Sequence, residues 1–201
     1  MFSYVLIVLC LFSGGGGLPK YVPQKPNTAM FKGSNEFHGD LSLIPNAQAS
    51  YSFSDHIFGE VVGTAANTVR GSAGIGYYDT FLESYGRWGV SGGGGYGPLE
   101  GSAYLQAYVG GSGHVLEGGL ASRLVYVNRW GHLSEVNGLL AEPSLFARIG
   151  WKNVKAEGLV GWSGILAGPS FDTGPNIAIG IHFYFGGQHE SAEENLPSKE
   201  S

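Results

Sequence analysis

From residue 35 onward, apolar and polar side chains alternate in runs of about ten residues separated by breaks. The clearest stretch is 145-LFARIGWKNVKAEGLVGW-162. With Lys152-Asn153 as a two-residue turn, Trp151 faces Val154, Ile149 faces Ala156, Arg148 faces Glu157 and Leu145 faces Val160. Strand side chains switch faces with period two, so one face carries Leu145, Ala147, Ile149, Trp151, Val154, Ala156, Val160 and Trp162, with no charge. The other carries Phe146, Arg148, Lys155 and Glu157. Arg148 and Glu157 stand directly across the ladder, and opposite charges at paired positions favour this register.

The same alternation predicts ten strands, at 35–43, 46–54, 57–66, 71–80, 82–91, 102–111, 115–127, 144–151, 154–163 and 176–185. No 3.6-residue periodicity competes with them. The connections 55–56, the break near Phe81, 112–114 and 152–153 are short. Between them fall longer ones, of which 92–101, 128–143 and 164–175 are the longest. An even strand number, with short turns at one end and longer loops at the other, is the pattern of an up-and-down antiparallel transmembrane β-barrel. Ten strands place the last beside the first and close the sheet; drawing 71–91 and 102–127 differently would give eight. The chain thus divides into a signal segment (1–17), an extended Pro-rich lead-in (18–34), a barrel (35–185) and a polar acidic tail (186–201).

Both faces of the predicted sheet have a definite character. The outward positions include Leu41, Leu116, Leu120, Leu124, Ile177, Ile179 and Ile181. Aromatic residues gather at the two ends, with Phe37, Tyr51, Phe53, Trp151, Phe183 and Phe185 near the short turns and Tyr126 and Trp162 near the long loops. Two aromatic girdles around an aliphatic band suit a lipid bilayer. The inward positions carry Glu60, Glu83, Glu117 and Glu157 against Arg87, Arg123, Arg148 and Lys155. Buried charges need partners, so these eight read as a structural ion-pair network that largely fills the lumen. A soluble barrel would have the opposite polarity.

Composition adds three constraints. The 35 glycines, spread through the alternating runs, suggest bends and close backbone approach rather than disorder. Net charge is −5, but most of it lies in the tail, where Glu190, Glu193, Glu194 and Glu200 face Lys199. No basic stripe exists for nucleic acid. The run 4-YVLIVLCLF-12 is too short to span a bilayer and fits the core of an export signal, followed by small residues at 13-SGGGG-17. Cys10, the sole cysteine, reads as an ordinary signal residue, with lipidation as the alternative.

The last strand, 176-NIAIGIHFYF-185, resembles the C-terminal recognition strand of small bacterial outer-membrane β-barrel proteins, with Phe185 as the terminal aromatic. That likeness implies delivery by the barrel-assembly machinery, although 16 residues follow here where such proteins usually stop. The segments 21-YVPQKPN-27, 31-FKGSNEF-37, 46-NAQASYSFSDHI-57, 104-YLQAYVGGSGH-114, 122-SRLVYVN-128 and 151-WKNVK-155 together resemble an uncharacterised Bacteroidota-type group of outer-membrane barrels. In that group the lead-in often follows a lipidated cysteine closely, whereas Cys10 lies eleven positions before Tyr21. The resemblance implies a fold and a bacterial outer-membrane location, and no activity.

Candidate chemistry is sparse. Gly92 to Gly97 formally satisfies G-x-G-x-x-G, but Pro98 follows at once and no helix offers its N-terminus to a phosphate. His38 and His182 both face inward near the short-turn end, on the strands that closure makes neighbours. With Glu36, Asp40 and Tyr184 close, they are candidates for a transition-metal site, set against the plainer reading of two hydrogen-bonded lumen histidines. No enzyme template is present, and no cofactor motif; Asp172, His132, Glu135 and Ser170 are the polar rim residues nearest to one. The expected role is structural or interactive, with the long loops displayed to an extracellular protein or glycan. A narrow porin-like channel for ions or small solutes is the alternative.

Overall fold

The computed structural model describes residues 23–43, 46–65, 69–82, 85–130, 136–151, 153–168 and 174–186. The signal segment with Cys10, the acidic tail beyond Gly186, Glu83, and the rim residues His132, Glu135, Ser170 and Asp172 lie outside the described residues.

Ten long strands form one closed antiparallel barrel. They are β1 (Glu36–Ser42), β2 (Asn46–Ser52), β3 (Ile57–Ala65), β4 (Val69–Phe81), β5 (Gly86–Gly97), β6 (Glu100–Ser112), β7 (Leu116–Arg129), β8 (Val136–Trp151), β9 (Val154–Trp162) and β11 (Pro175–Gly186). Each pairs with its chain neighbours, and β11 lies between β9 and β1, which removes both sheet edges. The short β10 (Gly164–Ala167) continues the path of β9 along β8, after a break opposite Glu142-Pro143. Pro143 has no N–H to give to a ladder, which suits it to that interruption. The β8–β9 hairpin has the expected register, with Trp151 opposite Val154 and Arg148 opposite Glu157.

Three expected loops change character. Residues 92–101 are almost all strand, with only 98–99 between β5 and β6. Of 128–143, β7 takes the first two residues and β8 begins at Val136; β10 occupies part of 164–175. The expected strand at 82–91 starts instead at Gly86, after a turn in which Leu82 has φ 51°. The glycine run misleads because glycine usually weakens strands. Here it admits a close approach instead: a Cβ on Gly74 or Gly93 would collide with the Tyr104 hydroxyl. That hydroxyl reaches along the inner face of the wall, past β4 and β5, and donates to Glu60, 2.6 Å away. Strand lengths are consequently uneven, 7 residues in β1 and β2 against 16 in β8, so the barrel is much taller on the β4–β8 side.

The faces sort by polarity. Leu41, Leu116, Leu120, Leu124, Ile177, Ile179 and Ile181 are exposed on the outer surface, while Glu36, Asp40, Glu60, Arg87, Glu117, Arg123, Arg148, Lys155 and Glu157 are buried within. At the end that carries the chain's first and last strand residues, Phe37 pairs with Tyr51 and Phe185, and Phe183 stacks on Phe185. Trp151 projects from the β8–β9 turn, 82% exposed. Tyr126 and Trp162 are exposed near the opposite rim.

The lead-in is extended, as its prolines require, but it lies inside the barrel. Residues 24–31 are buried without secondary structure of their own. The chain then turns into the wall at Asn35, whose φ of 61° is left-handed. Asn35 N–H donates to the Ser52 carbonyl at 2.8 Å, and its side-chain oxygen accepts from the Tyr51 hydroxyl at 2.9 Å. Asparagine tolerates this conformation and β-branched residues do not. Asn35→Val is therefore expected to lower stability by about 1–2 kcal/mol, and Asn35→Gly to leave it nearly unchanged. The temperature at which the folded form is lost on a semi-native gel would check both.

Candidate functional site

An extended segment has no ladder to satisfy its peptide groups, and a buried carbonyl without a donor is costly. The barrel wall supplies the donors. Arg123 reaches the Gln24 carbonyl at 3.4 Å, Gln48 that of Lys25 at 2.5 Å, and Gln106 that of Asn27. Arg148 donates to the Thr28 carbonyl at 2.8 Å, Tyr108 to Ala29 at 2.6 Å and Arg87 to Phe31 at 2.8 Å. Side chains of the segment are held too. Asn27 donates to Ser50 Oγ and Glu60 Oε2, both at 2.6 Å, and Gln24 accepts from Ser72 and Arg123. Ala29, Met30 and Phe31 pack with Phe58, Tyr78, Tyr108, Ala121, Phe146 and Leu159 into the lumen's apolar cluster.

Seven of the eight expected ion-pair residues lie among the described residues, and they divide into two groups. Arg148, only 1% exposed, donates from Nε to Glu157 Oε2 at 2.6 Å and lies 3.5 Å from Glu117 Oε2. Lys155 Nζ is 2.8 Å from Glu117 Oε1, and Tyr184 donates to Glu117 Oε2. Glu60, Arg87 and Arg123 each engage the segment, and Arg123 also lies over the Tyr104 ring at 4.2 Å. Glu83 falls outside the described residues.

The two histidines meet across the seam between β1 and β11. His38 Nε2 is 3.2 Å from Glu36 Oε2, and His182 Nε2 is 3.3 Å from His38 Nδ1. The other nitrogen of His182 lies 3.6 Å from both Asp40 Oδ2 and Glu157 Oε2. Lys25 Nζ sits at the same place, 2.6 Å from Asp40 Oδ2 and paired also with Glu157 Oε1.

Sequence reasoning missed Lys25, Asn27 and Thr28, because a Pro-rich polar stretch reads as a solvated linker. The signal available was 29-AMF-31, an apolar triplet with no alternating partner of its own. It also missed a second cluster nearer the tall rim. There Arg70 Nε is 2.6 Å from Glu100 Oε1 and Arg129 Nη2 is 2.7 Å from Glu100 Oε2, with Glu100 inside an expected loop. Leu140 and Ile165, which fall inside the expected loops 128–143 and 164–175, instead pack with Tyr104, Val125 and Val127.

No family model matches this chain, and no curated protein does. Among solved structures, the chain is similar to the crystal structure of the N-terminal β-barrel domain of Pseudomonas aeruginosa OprF. The identity is 16% and the TM-score 0.37, with 77% of this chain and 100% of that one covered.

Proposed function

We propose that this protein is an exported bacterial outer-membrane barrel that closes its own lumen with residues 24–31 and serves as a structural or interaction protein rather than an enzyme. One observation carries the closure: six carbonyls of that buried segment, those of Gln24, Lys25, Asn27, Thr28, Ala29 and Phe31, each accept from a wall side chain. A segment held so continuously leaves little room for a water column. The membrane setting is supported by the exposed aliphatic band and charged interior, an arrangement that water would penalise and lipid favours. Delivery by the barrel-assembly machinery is the corollary for a chain whose last strand carries the aromatic Phe185 one residue before its end. The surface for an extracellular protein or glycan is then the tall rim, where Tyr96 packs at a tilt against Trp130 with ring centroids 5.6 Å apart and Leu99 and Leu166 are exposed.

The test is electrical. Purified full-length protein, verified as folded by a boil-dependent gel shift, is expected to give no steps above baseline in planar bilayers. Reproducible single-channel openings from that preparation would replace the closed-barrel reading with the narrow-channel one.

A further inference from the structure

At the seam between β1 and β11, the lumen holds a nitrogen lone pair that no hydrogen bond uses. Its position follows from a chain of contacts. Glu36 Oε2 as a carboxylate oxygen only accepts, so the His38 nitrogen 3.2 Å away, Nε2, carries the proton. His38 Nδ1 is then bare and accepts the Nε2–H of His182 at 3.3 Å. That leaves His182 Nδ1 bare. It is buried, has no hydrogen-bond partner, and lies 3.6 Å from Asp40 Oδ2 and from Glu157 Oε2. Three electron-pair donors converging in a buried place repel one another unless a cation sits among them. Two cations are present: the guanidinium of Arg148 holds Glu157 Oε2, and the ammonium of Lys25, the one that the N-terminal segment brings, lies on Asp40 Oδ2 at 2.6 Å and on Glu157 Oε1.

We propose that Asp40, Glu157 and His182 form a divalent transition-metal site for which Lys25 is the built-in competitor, so that metal binding and seating of the N-terminal segment exclude one another. The geometry suits an ion of the zinc class. Ligands at roughly 2.0–2.2 Å in a tetrahedron stand about 3.4 Å apart. Both separations from His182 Nδ1 are 3.6 Å, and the donor atoms of all three residues lie within 4.8 Å of one another. An imidazole nitrogen with two carboxylates favours zinc, cobalt or nickel over calcium, which takes six or more oxygens. The surroundings are those of a metal centre. His38 fixes the tautomer and ring plane of His182, as the partner of a ligating histidine does, and Arg148 Nε fixes Glu157 at 2.6 Å. The competition with Lys25 rests on the segment lying in the lumen, whereas the three ligands all belong to the wall and are independent of whether the barrel conducts.

Cobalt(II) is the probe, since its visible absorption distinguishes four-coordinate binding from the hydrated ion. The full chain is used in detergent, with the boil-dependent gel shift confirming that each variant is folded. Lys25→Met is expected to bind one cobalt per chain about tenfold or more tighter than the unaltered protein, because the competing cation is gone. Adding His182→Gln to Lys25→Met is expected to abolish the four-coordinate spectrum. Equal affinity with and without Lys25, or a spectrum that survives loss of His182, overturns the proposal. Should Lys25→Met not fold, the unaltered protein decides: a His182-dependent spectrum at saturating cobalt supports the site, and its absence there overturns it.

Discussion

Arg148→Ala is expected to lower the unfolding free energy of the barrel by about 3–5 kcal/mol, the largest loss from any one lumen side chain. Arg148 joins three separate parts of the structure. Its Nε and Nη1 neutralise Glu157 and Glu117, and Nη1 and Nη2 donate to the carbonyl and hydroxyl of Thr28. Removing the guanidinium leaves two carboxylates with less compensation and a buried carbonyl without its donor, all away from water. Arg148→Met fills most of the volume and is expected to recover little, since the fault is electrostatic. Combining Arg148→Met with Glu117→Gln should recover part of the loss, because one stranded charge goes as well. Urea unfolding in detergent, followed by tryptophan fluorescence, measures all three. A loss below about 1 kcal/mol for Arg148→Ala would mean that Lys25 and Lys155 suffice to hold the carboxylates.

The second large effect concerns permeability. Deleting residues 23–31 is expected to turn a silent barrel into a conducting one with a preference for cations. The selectivity follows from the wall. Its buried carboxylates among the described residues are Glu36, Asp40, Glu60, Glu100, Glu117, Glu142 and Glu157, against Arg70, Arg87, Arg123, Arg148 and Lys155. Deletion also removes Lys25, the base the segment contributes, so the field in the emptied lumen becomes more negative. The apolar cluster of Tyr104, Val125, Val127 and Leu140 does not compensate, because it lines only the β6–β8 side. Conductance steps in planar bilayers, with reversal potentials in a KCl gradient, give the answer. A folded deletion variant that stays silent would show that the segment is not what closes the barrel.

Strand existence, the closed topology and the face assignment were legible because a half-polar strand in a barrel must alternate with period two, and a slip of one residue would turn every charge toward the outside. The β8–β9 register could be read from Arg148 and Glu157 alone, since a single cross-strand charge pair fixes a hairpin once its turn is placed. The rims were less legible. Glycine at 92–95 carries no alternation to count; its ladders to β4 and β6 hold it in the sheet, and the Tyr104 hydroxyl takes the space where a Cβ on Gly93 would stand, a contact that the spacing says nothing about. The site was half visible. Inward histidines on the first and last strands could be paired by closure, but the cation that meets them comes from a stretch with no periodicity. Nothing local marks Lys25 as buried; its partners are supplied by β1 and β9.

The thread of chain inside the wall also bears on how the molecule can be put together. Thr28 is gripped by Arg148, 120 positions later, and Glu36, where the wall begins, meets Gly186, where it ends. Pulling a charged, many-handed peptide into a finished cylinder would break every grip it makes on the way. Rolling the sheet around a peptide already in place breaks none. The first strand carries that peptide with it through the turn at Asn35, so each later strand can add against a filled interior, and the join between β1 and β11 comes last. On that order the segment would act as a mandrel, setting the bore while the sheet curls, beneath the same seam that its charge at Lys25 helps to hold shut.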